Sequence, residues 1–230
     1  MNKKVIYTAL YGQKDSLKDP LHISDGFDYI CFTDDPNLES SVWSCIYSEP
    51  TSEDPVRSAK VFKLLPYKHL AQYEVSIWVD ANFIIHGDIN DFLDKIDNLQ
   101  GVNMAMFQHD QGRNCLYDEA TIICQTNRDD PDVVTRQMDK YRSVGYPPQH
   151  GLTACSIIVR RHHAEDIIKF SDAWWAEVEE FSRRDQLSCC YCLWRHDIKY
   201  GLLNYPAIDI RRNNWFHWAP HNFETQSWSF

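Results

Sequence analysis

Short apolar runs alternate with amphipathic segments along the chain. Runs rich in β-branched and aromatic residues predict buried strands, and apolar residues spaced three and four apart predict helices. Strands separated by helices predict an α/β sheet with helices on its faces. No repeat, linker or low-complexity segment interrupts the pattern, so residues 1–230 are interpreted as a single domain. The predicted strands are 5–10, 28–33, 42–47, 76–85, 102–108 and 154–159, and the predicted helices are 56–70, 88–99, 113–126, 131–144, 164–181 and 184–195.

The predicted helix 56–70 carries a row of basic residues. Asp54 is a typical N-cap for this helix, and Pro66 is expected to end or kink it. Arg57, Lys60 and Lys63 recur at a spacing of three, so they share one broad face of the helix. The ordinary explanation is a solvated face, and the alternative is a basic surface beside a ligand.

The apolar run 76–85 contains two polar residues, Asp80 and Asn82. A carboxylate at the end of a buried strand is costly unless another group pairs with it. If the strand stays extended through residue 81, both side chains face the same side. Two adjacent oxygen ligands suit a hard divalent cation. A turn that Asp80 caps and Asn82 closes is an equally simple alternative.

Composition restricts the partners that the chain can bind. The formal net charge is -10, which argues against a nucleic acid or an anionic membrane as the main partner. A phosphate-bearing ligand would therefore need local cations or a metal. The chain has 8 Trp and 12 Tyr, residues that often line carbohydrate or nucleotide sites but also fill cores.

The 8 cysteines are expected to be reduced thiols. No secretory signal precedes the first predicted strand, and no apolar stretch approaches the length of a membrane span. The cluster Cys189-Cys190-x-Cys192 lacks the paired CxxC spacing of a zinc site, so buried free thiols are the simpler interpretation. We therefore expect a cytoplasmic protein without a transmembrane segment.

Polar residues and glycine collect at the ends of the predicted strands. Gly12, Asp34, Asp80, His109 and Thr153 all lie at or beside a strand end. In open α/β sheets, ligands bind outside the carboxyl ends of the strands. The sequence therefore predicts a ligand site at that edge of the sheet.

The order of these motifs resembles the GT-A glycosyltransferases. A strand followed by Tyr-Gly, a strand ending in Phe-Thr-Asp-Asp, the segment Arg-x-Ala-Lys-x-x-Lys-x-Leu-Pro and a strand ending in Asp-x-Asn follow one another. The sequence is most similar to family-8-like enzymes and to the TOD1/MUCI70 glycosyltransferase-like domain. The resemblance implies a GT-A-like, Rossmann-like fold with a mixed, mainly parallel sheet and helices on both faces. The matching stretches are 57–66, 76–82, 109–120, 145–161 and 182–195.

The same resemblance implies a metal-dependent enzyme that moves a sugar from a nucleotide diphosphate sugar to a glycan or glycoconjugate acceptor, in surface polysaccharide biosynthesis. In such enzymes an Asp-x-Asp motif holds Mn or Mg, which stabilises the diphosphate leaving group. Asp80 and Asn82 match that motif, although Asn82 contributes an oxygen without charge. Because family-8-like enzymes place a late histidine on the metal, His217 and His221 are the candidates for a further ligand.

Asp185 and Gln186 match an Asp-Gln element that family-8-like enzymes place beside the anomeric carbon of the sugar. In a retaining reaction either residue would stabilise the oxocarbenium-like centre or orient the sugar, and in an inverting reaction Asp185 would be the general base. An acid at a helix start also has an ordinary explanation, because it interacts favourably with the helix dipole. The resemblance assigns contacts with the donor to the regions of Tyr7, Thr8, Tyr11, Gly12, Asp34, Arg57, Lys60, Lys63, His109 and Thr153.

Two other functions remain open. Plant relatives in this family have been linked to ceramide cleavage, which allows a hydrolase such as a ceramidase-like amidase. However, the sequence has no Ser-His-Asp order, no HExxH motif and no obvious membrane-binding helix. The departure from the acidic motif at Asn82 allows a non-catalytic module that binds a nucleotide sugar.

Overall fold

The computed structural model describes residues 3–13, 15–97, 101–204 and 207–220. The strands are β1 (Lys4–Leu10), β2 (Phe27–Thr33), β3 (Ser44–Tyr47), β4 (Val75–Val79), β5 (Phe83–Ile85), β6 (Met104–Gln108), β7 (Thr153–Arg160), β8 (Gly201–Leu203) and β9 (Phe216–Trp218). The helices are α1 (Pro55–Leu64), α2 (Pro66–His69), α3 (Ile89–Asp97), α4 (Leu116–Gln125), α5 (Pro131–Ser143), α6 (Glu165–Glu180) and α7 (Gln186–Arg195).

Within the described residues, seven strands form one sheet in the order β3-β2-β1-β4-β7-β6-β8. Strand β1 pairs in parallel with β2 and β4, β2 pairs in parallel with β3, and β6 pairs in parallel with β8. Strand β7 runs antiparallel to its neighbours β4 and β6. The predicted mixed, mainly parallel sheet of a Rossmann-like GT-A fold is therefore confirmed. Strands β5 and β9 form a separate antiparallel pair.

Helices bury their apolar faces against both sides of the main sheet. One core contains Phe62 of α1, Trp174 of α6 and Leu187 of α7. The core on the other side contains Phe92 of α3 and Phe216 of β9. In the part of the chain that the structure describes, no helix is both long and apolar enough to cross a bilayer.

The apolar run 76–85 does not form one strand. Strand β4 ends at Val79, and in the turn that follows the amide of Phe83 donates to the carbonyl of Asp80 at 2.9 Å. Both β4 and β5 are largely buried, so Asp80 and Asn82 are the only polar residues of the run that mark the break. The structure has the turn that the sequence left open as an alternative, and the extended geometry that would put Asp80 and Asn82 on one strand face is absent.

The boundaries of α1 follow the sequence signals. The Asp54 carboxylate accepts a hydrogen bond from the amide of Val56 at 2.9 Å, as an N-cap does. Pro66 divides the predicted helix 56–70 into α1 and α2. By contrast, the sequence did not predict β8 or β9, because strands of three residues are too short to show alternation.

The 8 cysteines are all free thiols, as expected. Cys189, Cys190 and Cys192 are buried in α7. Burial raises the pKa of the Cys190 thiol to about 11, so this thiol stays protonated at neutral pH. These side chains therefore act as small apolar residues of the core.

Candidate active site

A cleft of about 390 Å³ lies at the carboxyl ends of β1 and β4. Its walls come from α1, the turn after β4, the segment after β6, the start of β7, the α6–α7 connection and β9. This is the edge of the sheet at which the sequence predicted a ligand. The predicted site residues that line the cleft are Tyr11, Lys60, Lys63, Asp80, Asn82, His109, Asp185 and Gln186.

Two lysines of α1 meet the carboxylates of Asp80 and Asp185 in this cleft. Nζ of Lys63 lies 3.1 Å from Oδ1 of Asp80 and 2.7 Å from Oδ2 of Asp185. One helical turn earlier, Nζ of Lys60 lies 2.9 Å from Oδ1 of Asp185. The Lys63 side chain is 1% exposed, so a solvated helix face is not the explanation for this row of cations.

Burial and the neighbouring charges shift the pKa values of Lys60, Lys63 and Asp185. Burial by itself raises the pKa of Asp185, but Lys60 and Lys63 more than compensate and hold it well below its ordinary value. Burial lowers the pKa of Lys63, yet Asp185 and Asp80 together hold it above its ordinary value. For Lys60, burial outweighs the attraction of Asp185, and its pKa is lowered. Asp185 is therefore an ionised group and a weak proton acceptor at neutral pH.

The turn after β4 brings Asp80 and Asn82 into the same cleft. Oδ1 of Asp80 accepts a hydrogen bond from Nε1 of Trp78 at 2.6 Å, and the Asp80 amide donates to the carbonyl of Ser156 at 2.8 Å. The backbone carbonyl of Asn82 accepts a hydrogen bond from the amide of Ala219 at 2.8 Å. Asn82 is buried, whereas the Asp80 side chain is 28% exposed toward the cleft.

The donor set around Asp80 does not fit a divalent cation held by the protein alone. Oδ1 of Asp80 already lies within hydrogen-bond distance of Trp78 and Lys63, and Asn82 adds no charge. Over residues 3–13, 15–97, 101–204 and 207–220, no group of three or more His, Cys, Asp or Glu could hold a metal. An ammonium 3.1 Å from Asp80 also repels a cation placed beside that carboxylate. The dependence on Mn or Mg stays a prediction.

The structure describes one of the two late histidines, His217, and does not place it in the cleft. His217 is exposed in β9 and does not line the cleft, whereas the next residue, Trp218, does. Adjacent residues of a strand face opposite sides, so His217 faces away from the cleft. His221 lies outside the described residues.

Tyr7 and Thr8 were expected near the nucleotide, but the structure places both in the core. They are 0% and 1% exposed and do not line the cleft. The Tyr7 hydroxyl accepts a hydrogen bond from Nη2 of Arg160 at 2.5 Å and lies 3.4 Å from the Lys63 carbonyl, to which it donates. Tyr7 therefore contacts the backbone of a cleft residue from behind.

The β1–α1 contact shapes one end of the cleft. Tyr11 lines it and stacks on Phe62, with ring centroids 5.8 Å apart. The Gly12 amide donates to Oδ2 of Asp34 at 2.9 Å, although neither residue lines the cleft. Gly12 has φ +68°, and a Cβ there would lie 2.7 Å from Cβ and Cγ of Pro55. This close approach explains why a glycine follows the first strand.

Arg57 and Thr153 lie outside the cleft lining as well. Nη2 of Arg57 donates to the Phe181 carbonyl at 2.8 Å and so joins α1 to the end of α6. The Thr153 hydroxyl is buried 3.5 Å from the sulfur atoms of Cys189 and Cys190. The carbonyl of Thr153 accepts from Nε2 of Gln186 at 3.2 Å, so Thr153 orients Gln186 through its backbone.

The cleft lining includes residues that the sequence did not single out. Nε of Arg211 lies 2.6 Å from Oδ2 of Asp110, and its guanidinium lies 5.4 Å above the ring of Trp218. His109 Nδ1 donates to the Asp110 carbonyl at 2.6 Å. Arg211 and Asp110 are about a hundred residues apart in the chain, so local sequence patterns carried no signal for their contact.

Two arginines of the cleft have no acidic partner in the part of the chain that the structure describes. Arg184, beside Asp185, and Arg128 have no carboxylate within ion-pair distance among the described residues, whereas Arg183 pairs with Asp54. Of the described residues that line the cleft, seven are Lys or Arg and five are Asp or Glu. A cleft with an excess of cations in a chain of net charge -10 favours an anionic ligand.

The chain matches the family described as TOD1/MUCI70, glycosyltransferase-like domain, over residues 33–212. The chain belongs to this family. The matched region contains Lys60, Lys63, Asp80 and Asp185, and it begins after β1, so Tyr11 lies outside it. A comparison with curated proteins finds no match. Membership supports a glycosyltransferase with a sugar donor and an acceptor, without naming either.

Proposed function

We propose that this member of the family is a glycosyltransferase that moves a sugar from a nucleotide diphosphate sugar to a glycan or glycoconjugate acceptor in surface polysaccharide biosynthesis. The observation that carries the proposal is the convergence of Lys60 and Lys63 on Asp185 within the cleft. Family membership makes sugar transfer the reaction that this arrangement supports best.

The cations of the cleft are suited to the leaving group of such a reaction. Negative charge accumulates on the nucleotide diphosphate as its bond to the sugar breaks. Cations that are fixed before the reaction stabilise this charge without reorganisation. Lys60 and Arg184 line the cleft and serve this role in our proposal, because Arg184 has no carboxylate partner among the described residues and Lys60 shares its carboxylate with Lys63.

We assign Asp185 and Gln186 to the sugar. The two lysines keep Asp185 ionised, and this lowered pKa makes it a poor general base. An ionised carboxylate can instead bind sugar hydroxyls or stabilise positive charge at the anomeric carbon. Gln186, held at the Thr153 carbonyl, lines the cleft beside it.

The ceramidase-like alternative gains no support from the serine–histidine contact in the structure. Nδ1 of His162 lies 2.9 Å from the hydroxyl of Ser76, but both residues are 0% exposed. A nucleophile that no substrate can reach does not hydrolyse an amide. Sugar transfer therefore stays the better-supported function.

A thermal-shift screen with UDP, GDP and common UDP- and GDP-sugars tests the proposal. A ligand that binds only the folded protein raises the melting temperature. We expect a rise with at least one nucleotide diphosphate, and its loss in Lys60→Met. Arg142→Met is the control, because Arg142 lies on an exposed surface of α5 outside the cleft, where it pairs with exposed Asp139 and lies over the ring of Tyr117. Parallel samples with Mn and with EDTA test the predicted metal.

Release of nucleotide diphosphate from the best donor separates an enzyme from a binding module. The enzyme is expected to hydrolyse the donor slowly when water replaces the acceptor, and Asp185→Asn is expected to stop this reaction. Binding without turnover, even with glycan acceptors present, would favour the non-catalytic module. Absence of any thermal shift would count against both.

A further inference from the structure

The backbone carbonyl of Lys63 accepts hydrogen bonds from two side chains. Pro66 has no amide hydrogen and interrupts the helix, so beyond Val61, whose carbonyl still accepts from the amide of Leu65, the carbonyls at the end of α1 lose their ordinary amide partners. At Lys63 the side chains of Arg160 and Tyr7 supply the donors instead. Nη2 of Arg160 lies 2.6 Å from this carbonyl, and the Tyr7 hydroxyl lies 3.4 Å from it.

Arg160 is costly to keep in this place. It is the last residue of β7, is 0% exposed, and has no carboxylate within ion-pair distance among the described residues. Its Nε and Nη1 atoms are buried without a hydrogen-bond partner in the same part of the chain. A cation at a helix C-terminus gains from the dipole, but a buried unpaired guanidinium still opposes folding. Stability alone therefore does not account for Arg160.

The Lys63 ammonium must meet a narrow geometric requirement. It contacts Asp80 at 3.1 Å and Asp185 at 2.7 Å at once. The clamp on the Lys63 carbonyl fixes the backbone from which this side chain extends. Groups that act on charge in a reaction lose much of their effect when they move by about 1 Å.

We propose that Arg160 is a positioning residue, which clamps the carbonyl of Lys63 at the broken end of α1 and so places the Lys63 ammonium between Asp80 and Asp185. Its effect on catalysis rests on the proposed sugar transfer. Its effect on Lys63 does not, and the two are measured separately.

The position of Lys63 can be followed without any substrate. In protein labelled with ¹⁵N-lysine, the Lys63 ammonium signal is assigned by its loss in Lys63→Met. We expect Arg160→Met to shift or broaden this signal and to leave that of Lys140, which pairs with Glu177 on another face, unchanged. Arg161→Met is the matched control, because Arg161 is the exposed neighbour of Arg160. An unchanged Lys63 signal in Arg160→Met would overturn the proposal.

Turnover provides the second measurement, with UDP-glucose, UDP-galactose or GDP-mannose, whichever gives the largest thermal shift. We expect Arg160→Met to lower kcat for donor hydrolysis about tenfold with KM changed less than about twofold, and Arg160→Lys to recover part of the loss. Equal kcat values for Arg160→Met and Arg161→Met would contradict a positioning role, as would losses in kcat and KM that only follow the melting temperature.

The outcomes of the two measurements are distinguishable. If the wild-type protein binds and hydrolyses no donor, the proposed function fails while the lysine signal still decides the role of Arg160. If Arg160→Met does not fold, Tyr7→Phe removes only one hydroxyl of the same clamp. It is expected to shift the Lys63 signal in the same direction by a smaller amount, and no shift would overturn the proposal.

Discussion

At the scale of single residues, the site depends on ionisable groups that are buried together in pairs of opposite charge. Desolvation opposes each charge of the Lys60, Lys63 and Asp185 group. The group persists because each member has an opposite charge within 2.9 Å. Such a group is stable as a whole and sensitive to the loss of one member.

Replacement of Asp185 by Asn should expose this sensitivity. Asparagine has nearly the same shape but leaves Lys60 without its carboxylate and Lys63 with Asp80 alone. We expect a loss of about 3 kcal/mol in the free energy of unfolding, because one partner of a buried ion pair is removed. Urea denaturation at neutral pH measures it.

The control for this variant is Asp139→Asn. The ion pair of Asp139 with Arg142 is exposed, with side chains 67% and 57% accessible, so its loss should cost less than about 0.5 kcal/mol. Equal losses in the free energy of unfolding would show that burial does not make the group of Lys60, Lys63 and Asp185 more sensitive to the loss of a charge.

The sequence indicated many of the residues of the cleft but not how they are paired. Asp80 and Lys63 follow from motif position, and both line the cleft. The contact between Lys63 and Asp185 joins residues more than a hundred positions apart, and periodicity reports only local structure. For the same reason local patterns did not single out Arg184 or Arg211, whose importance comes from their neighbours in space.

At the scale of elements, the cleft depends on how closely α1 approaches the end of β1. Gly12 allows this approach, because a Cβ there would collide with the Pro55 ring at 2.7 Å. Pro55 is the first residue of α1, the helix that carries both cleft lysines. A side chain at position 12 would therefore move the helix or strain the turn.

Gly12→Ala and Gly26→Ala form a matched pair that tests this contact. Both glycines have positive φ, +68° and +81°, but a Cβ at Gly26 has no atom within 4 Å. We expect Gly26→Ala to cost about 1 kcal/mol from backbone conformation alone and Gly12→Ala about 2 to 3 kcal/mol because of the added collision.

Denaturation of both variants measures these costs, and the thermal shift with UDP reports on the cleft. Only Gly12→Ala is expected to reduce the thermal shift. Identical stability and binding in the two variants would show that the Pro55 contact relaxes without consequence for α1.

The elements themselves were largely predictable, because long apolar and amphipathic segments specify their own structure. The sequence left open whether Asp80 lies in a turn or in an extended strand, since the residues on both sides of it are buried. Strand β9 forms part of the cleft wall only because it pairs with β5 across more than a hundred residues. Elements that are stabilised by such distant pairing leave a weak local signal.

At the scale of the whole molecule, the buried side chains of His162 and Asp185 affect the stability of the fold in different ranges of acid pH. His162 is 0% exposed; its Nε2–H donates to the Leu70 carbonyl at 3.1 Å and its Nδ1 accepts from the Ser76 hydroxyl. Burial lowers the pKa of His162 from 6.5 to about 4. The lysines lower the pKa of Asp185 below its ordinary value of 3.8.

The signs of these shifts give separate windows of pH. Between pH 6.5 and about 4, the unfolded chain binds a proton at His162 and the folded chain does not, so the free energy of unfolding falls as the pH falls. The stability that ionised Asp185 contributes is fully present above its ordinary pKa of 3.8 and is lost only below it. Loss of stability at mildly acidic pH is therefore assigned mainly to His162, and His69 and His196, whose pKa values burial also lowers, contribute with the same sign.

Urea denaturation between pH 7.5 and 4.5 tests this assignment with His162→Gln, in which the amide nitrogen can still donate to Leu70. We expect the variant to be less stable at pH 7.5 but less sensitive to acid, so that its deficit shrinks by on the order of 2 kcal/mol toward pH 4.5. His150→Gln is the control, because His150 is exposed and its replacement should leave the pH profile parallel to that of the wild type. If the His162→Gln profile is also parallel, another group carries the acid sensitivity, and the buried imidazole is neutral without consequence for the stability of the fold.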